Sequence, residues 1–231
     1  MKASLTAANL VIYVNRQLAN VFPDEHHHNA ELAAIIDKAL SRLAYCFSHI
    51  NKKYYQVNNQ AHFNHLNSDH YCSFIYLLSN EAYRDDAIVL AEKLFYLNKA
   101  LNGLDCFYSI KLPDIFLFVH PVGTVLGNAE YANYLVVYQN VTVGSTLAGD
   151  YPRFKEACIL YSNASVIGDC QLGENVIVGA NSALLNIEIE SQRIIVGMHP
   201  NCKIKNTQIN IREEVFGLND KYDESSNEAR G

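Results

Sequence analysis

At 231 residues the chain is long enough to bury a substantial core, as one large domain or two small ones. A formal net charge of −6, with 18% charged residues and no cluster of Lys or Arg, excludes the electrostatic footprint of a nucleic-acid binder. The six cysteines (Cys46, Cys72, Cys106, Cys158, Cys170 and Cys202) are widely spaced, with neither a CxxC pair nor metal-ligand spacing, and read as reduced thiols.

In chain order, "MKASLTAANLVIYVNRQL" has its apolar residues interrupted by Asn, Arg and Gln. It reads as neither a secretory leader nor a membrane span, and the expectation is a soluble, cytoplasmic protein with no membrane partner. From Ser4 to about Ala100 the apolar residues recur at helical spacing, and Leu32, Ile35, Ile36, Ala39, Leu40, Leu43 and Phe47 stripe one face. The pattern predicts helices over 4–21, 30–50, 69–80 and 84–100, with Asn29 or a neighbour capping the second and Ser68 the third. His26, His27 and His28 have no spaced partner and read as a solvated loop rather than a metal site.

After Pro113 the period changes. Val125, Tyr131, Val137 and Val143 lie six apart, and after an interruption so do Phe154, Leu160, Val166, Leu172, Val178 and Leu184. Smaller residues follow four later, among them Ala129, Cys158, Ala164, Cys170 and Ser182. Three six-residue units make one triangular coil of a parallel β-helix, with the in-phase residues stacked inside and the small ones where the walls converge. An antiparallel sheet, with period two, would not keep ten apolar residues in phase at six. The interruption, Ser145 to Arg153, must leave the coil as a loop of about five extra residues, and such insertions often line a binding face.

"HPVGTVLGNAEYANYLVVYQNVTVG", "NASVIGDCQLGENVIVGANSALL" and "IIVGMHPNCKIK" together resemble the bacterial serine acetyltransferases, hexapeptide-repeat enzymes with a helical N-terminal domain. The resemblance is close over 113 to about 206 and looser at "SDHYCSFIYLL", which looks like the family's segment opening a helix before the β-helix. It implies an α+β chain: an α-helical domain over 1–112 and a left-handed parallel β-helix over 113–210. Residues 211–231 read as a polar, disordered tail.

The resemblance further implies transfer of an acetyl group from acetyl-CoA to a hydroxyl, in a site between subunits of a homotrimer or a dimer of trimers. His120 aligns with the family's catalytic histidine, and an imidazole can remove the hydroxyl proton as it attacks the thioester. Asp69 matches an aspartate that reaches the acceptor's amino group, and it also reads simply as a first-turn carboxylate favoured by the helix dipole. Where the family usually has an aspartate orienting the histidine, this chain has Val119, so a backbone carbonyl or Asp114 must be considered. The Val143-Gly144 turn is a source of an oxyanion-binding N–H. In the loop, Asp150, Tyr151 and Arg153 are the expected acceptor contacts, although the family's Arg-His pair is missing. By alignment Gly144, Ser162, Asn163, Ala164, Gly179 and Ala180 hold the CoA arm, with Lys203 and Lys205 near its phosphates.

No metal is expected, because no histidine falls between His120 and His199 to build a β-helix zinc site. The family's partnership with the sulfhydrylase of cysteine synthesis depends on a C-terminal isoleucine, and a chain ending "NDKYDESSNEARG" is not expected to form it. The reading is an O-acetyltransferase acting on serine or a serine-like molecule. Acetylation of a sugar hydroxyl or amine in surface-polysaccharide synthesis is the alternative, favoured by Val119 and Tyr151, and a catalytically weakened scaffold is the third.

Overall fold

The structure, a computed structural model, describes residues 1–24 and 27–217. Four helices form the first half: α1 (Ala7–Val21), α2 (Asn29–Ser48), α3 (Ser68–Arg84) and α4 (Ile88–Asn102). Each lies within a few residues of its expected span. One cap differs from the expectation and a second meets it in position only. The N-cap of α3 is Asn67 rather than Ser68, its Oδ1 accepting from the N–H groups of Asp69 and His70 at 3.1 and 3.3 Å. The boundary residue of α2 is His28, which gives no side-chain cap. His28 is buried and paired through Nδ1 with Glu31, so it is not part of a solvated loop. His26 lies outside the described residues.

Helix α3 runs between α2 and α4 and is buried almost throughout, so its polar side chains need partners. Asn80 donates to the Tyr108 carbonyl at 2.8 Å, and Glu81 pairs with Arg42 at 2.5 Å and with Arg84 at 3.1 Å. A small three-stranded sheet that the periodicity did not reveal joins Lys2–Ala3, Gln60–Phe63 and Gln56–Val57. Its hairpin turns at Asn58 and Asn59, both at positive φ, as a two-residue turn of this hand demands.

The second half is a triangular parallel β-helix. Its first face stacks Phe116–Phe118, Leu135–Val137, Cys158–Leu160, Val176–Val178 and Arg193–Val196. The second stacks Asp105–Cys106, Val125–Leu126, Thr142–Gly144, Ser165–Ile167 and Ala183–Leu185, and the third Glu130–Tyr131, Arg153–Phe154, Gln171–Leu172 and Glu188–Ile189. Register confirms the repeat: Leu160 pairs with Val178 and Val166 with Leu184, 18 residues apart, whereas Leu160 and Val137 are 23 apart across the loop. Five extra residues therefore leave the coil between Gly144 and Arg153.

One in-phase residue is corrected. Val125 is 40% exposed, and it is Leu126 that points inward, in register with Val143. The chain gains this residue by turning tightly at Gly127, where an added Cβ would lie 2.8 Å from the Val143 carbonyl oxygen. The small residues Cys158, Ala164, Cys170 and Ser182 are buried where the walls meet. All six cysteines are free, and burial pushes the thiols of Cys46 and Cys158 up to about 12, so neither is poised as a nucleophile.

Left-handed backbone turns each corner. The first corner, between first and second faces, carries Asn140, Asn163 and Asn181 at φ of 55°, 61° and 57°, with Asn163 Nδ2 donating to Asn181 Oδ1 at 2.9 Å. After Lys203–Asn206 pairs antiparallel with the last first-face strand, the chain returns along the third corner. Thr207 N–H donates to the Gln192 carbonyl and Ile211 N–H to Asn175 Oδ1. The segment then forms α5 (Ile211–Phe216), in which Ile211 and Phe216 are buried. The disordered tail expected from 211 is thus corrected over 211–217, and 218–231 lie outside the described residues. Among the described residues no helix is long and apolar enough to cross a membrane.

Candidate functional site

His120 opens the first corner. Its φ is 50°, a left-handed value that His adopts more readily than most side chains. Asp69 meets it there, its Oδ2 accepting the His120 backbone N–H at 3.1 Å and lying 3.6 Å from the ring Nδ1. At 3.6 Å the second distance is too long for a hydrogen bond. Asp69 itself sits in the first turn of α3, positioned by the Asn67 cap and favoured by the positive end of the helix. The partner that Val119 cannot provide therefore comes from a helix 51 residues earlier. Asp114 lies elsewhere, in a separate depression beside Ser41, Arg42 and Tyr45.

His120 and Asp69 line a cavity of about 630 Å³. Tyr54 and Tyr55, after α2, form one wall. The outward side chains of the first face, Leu117, Val136 and Ile159 together with Tyr138 and Tyr161, form another, and Ile209 and Val215 from the returning segment close it. Two anchors hold that segment down: Val215 accepts from Asn51 N–H at 3.0 Å, and Lys52 Nζ donates to the Glu214 carbonyl at 3.2 Å. Burial raises the phenols of Tyr55 and Tyr138, which stay neutral hydrogen-bonding groups.

The expected cofactor residues divide by position. Ser162, Asn163, Ala164, Gly179 and Ala180 stack along the same corner as His120, through Asn140 N–H to the Val122 carbonyl, Asn163 N–H to Gln139 and Asn181 N–H to Ser162. Lys203 and Lys205 are exposed on the last strand, opposite Val196 and Ile194. Lys203 thus stands at the end of this corner column and Lys205 two residues farther from it. Gly144 is at the opposite edge of the second face, where the loop leaves.

There Asp150, Tyr151 and Arg153 line a different depression of about 210 Å³ with Asp169, which pairs with Arg153 Nη2 at 2.6 Å. Asp150 accepts from the Thr146 hydroxyl at 3.2 Å. None of these loop residues lines the His120 cavity. A single chain therefore brings His120 to Asp69 and to the corner residues, but not to the loop.

The cavity walls were missed in the sequence. Tyr138 and Tyr161 each follow an in-phase core residue by one, so the repeat did carry their signal; Ile209 and Val215 had none.

Known proteins resemble the chain in sequence over about half of its length and in fold over most of it. A serine acetyltransferase of Synechococcus elongatus is 29% identical over 120 residues, covering 50% of this chain and 49% of the relative. The chain spans about half to three-fifths of the length of the curated relatives it matches. The serine acetyltransferase structure from Vibrio cholerae superposes with a TM-score of 0.69 at 16% identity, over 88% of this chain and 81% of that one. A serine acetyltransferase in complex with CoA superposes at 0.66 with 18% identity, over 87% and 85%. No family model matches. In fold over most of its length, and in sequence over about half of it, the chain is similar to the serine acetyltransferases, and its fold is a helical region followed by a left-handed parallel β-helix.

Proposed function

We propose that this protein is an acetyl-CoA-dependent O-acetyltransferase with His120 as its general base. The observation that carries the reading is the contact of His120 with Asp69 at a cavity rim, at the head of the corner where CoA-binding residues are expected. A carboxylate facing Nδ1 favours the tautomer with its proton there and leaves Nε2 basic. Nε2 accepts the acceptor's hydroxyl proton as the oxygen bonds to the thioester carbonyl carbon. The C–S bond then breaks, the proton passes to the departing sulfur, and the products are an acetyl ester and the CoA thiol. In this account Asp69 orients the base, the task that the family gives to the residue before the histidine.

The His120 side chain is 76% exposed in one chain, which leaves the reaction open to water. A neighbouring chain would cover it. The second face separates the His120 corner from the loop corner and presents small residues with exposed Val125, Leu185 and Met198. Three copies packed by this face bring the loop corner of one chain, with Gly144, Asp150, Tyr151 and Arg153, to the His120 corner of the next. A homotrimer, alone or paired, follows, with the Gly144 turn supplying oxyanion contacts across the boundary.

The direct test uses acetyl-CoA labelled in its acetyl group and a panel of alcohols. The reading expects label in an ester of the acceptor, and label found in free acetate alone would overturn it. Transfer to a sugar hydroxyl is the second reading, favoured by Tyr151 in the loop corner; a hexose in the panel decides between them.

A further inference from the structure

Resting on that transferase reading, we propose that the cavity beside His120 is the acceptor pocket and takes a hydroxyl compound with an aromatic or branched aliphatic body, not a free amino acid. Three features of the cavity argue for this class. The first is size: about 630 Å³ is room for a ligand well beyond serine, which would leave most of the space to water. The second is lining: Val119, Ile209 and Val215 present aliphatic surface, and the Tyr138 and Tyr161 rings pack 4.8 Å apart beside them, over the buried Leu117, Val136 and Ile159. An apolar body covers that surface, whereas a hexose would need a dense set of hydrogen-bonding partners for its hydroxyls.

The third feature is charge. A free amino acid brings a carboxylate, and the charged side chains lining the cavity are Asp69 and Glu214 with Lys52, the one lysine or arginine there among the described residues; the loop corner of a neighbouring chain would add Arg153, already paired with Asp169 at 2.6 Å, and Asp150. A carboxylate placed against apolar walls among these like charges is disfavoured. The same scarcity of cations argues against the phosphate end of CoA. None of Ser162, Asn163, Ala164, Gly179 or Ala180 lines this space, so the thioester arrives along the corner and the acceptor waits in the cavity, with His120 between them. The group that Asp69 would hold is then the base itself and not an ammonium on the acceptor.

The test compares kcat/KM for serine, glucose, isoamyl alcohol and phenylethanol with acetyl-CoA, in the full chain and in Ile159→Phe and Ile159→Ala. The proposal expects phenylethanol or isoamyl alcohol to exceed serine by about tenfold or more. It also expects Ile159→Phe to lower the preference for phenylethanol over isoamyl alcohol and Ile159→Ala to raise it; general damage to the fold would reduce all acceptors alike. Preference for serine or glucose, with the ratios indifferent to residue 159, overturns the proposal and leaves the transferase reading standing. Should no acceptor be acetylated, saturation-transfer NMR separates the two ideas. Saturable phenylethanol binding that Ile159→Phe abolishes supports the pocket and removes the transferase reading, and no binding removes the pocket.

Discussion

His70, next to Asp69, shows what a single buried side chain contributes. Its Nδ1 accepts from the Asn64 N–H at 3.2 Å, and its ring packs on Phe47 and Tyr55. Burial, helped by His62, lowers its pKa from an ordinary 6.5 to about 4. Between these values the unfolded chain takes up a proton that the folded chain refuses, so stability is full above about 6.5 and falls as the pH drops toward 4. His70→Gln, which keeps an acceptor for Asn64, is expected to flatten that dependence in denaturant midpoints measured across the interval; an unchanged slope would refute it. His120 stands out in the sequence as the candidate base because its flanking motif is distinctive. Its contact with Asp69 was not legible, since the sequence left the ring to a backbone carbonyl or Asp114, and only the packing of α3 on the first coil brings Asp69 within 3.6 Å.

Among the elements, α3 aims Asp69, and its start is the sensitive point. Asn67→Ala is expected to cost about 1 kcal/mol in chemical denaturation, and Ser68→Ala to stay within about 0.5 kcal/mol, because the cap is Asn67. The reverse order would place the cap one residue later. In the coil, Leu160→Ala removes a fully buried residue and should cost about 2–5 kcal/mol, while Val125→Ala, outside the coil interior and on the face the proposed trimer covers, should cost about 1 kcal/mol or less by the same measurement. The hexapeptide period made the coils legible because one interior residue per strand must be apolar, and it located the five-residue loop as well. It failed at Val125, where the tight turn at Gly127 shortens the spacing by one. It said nothing of α5, whose "IREEVF" is too short and too charged to announce that Ile211 and Phe216 would be buried.

At the scale of the whole molecule, the two groups of expected site residues occupy opposite edges of one face, and the proposed trimer joins them in a site shared between chains. Mixing His120→Ala with Arg153→Ala chains through denaturation and refolding should restore about a quarter of wild-type activity, since some boundaries then pair an intact His120 with an intact loop. Mixtures no more active than either variant would mean that each chain works alone. The central claim is that His120 removes the proton of the attacking hydroxyl, and its sharpest test is the single-turnover rate of thiol release from acetyl-CoA with the best acceptor. The account predicts a loss of about a hundredfold or more in His120→Ala, with acetyl-CoA affinity retained in a binding titration. A variant that releases thiol at the wild-type rate would contradict it.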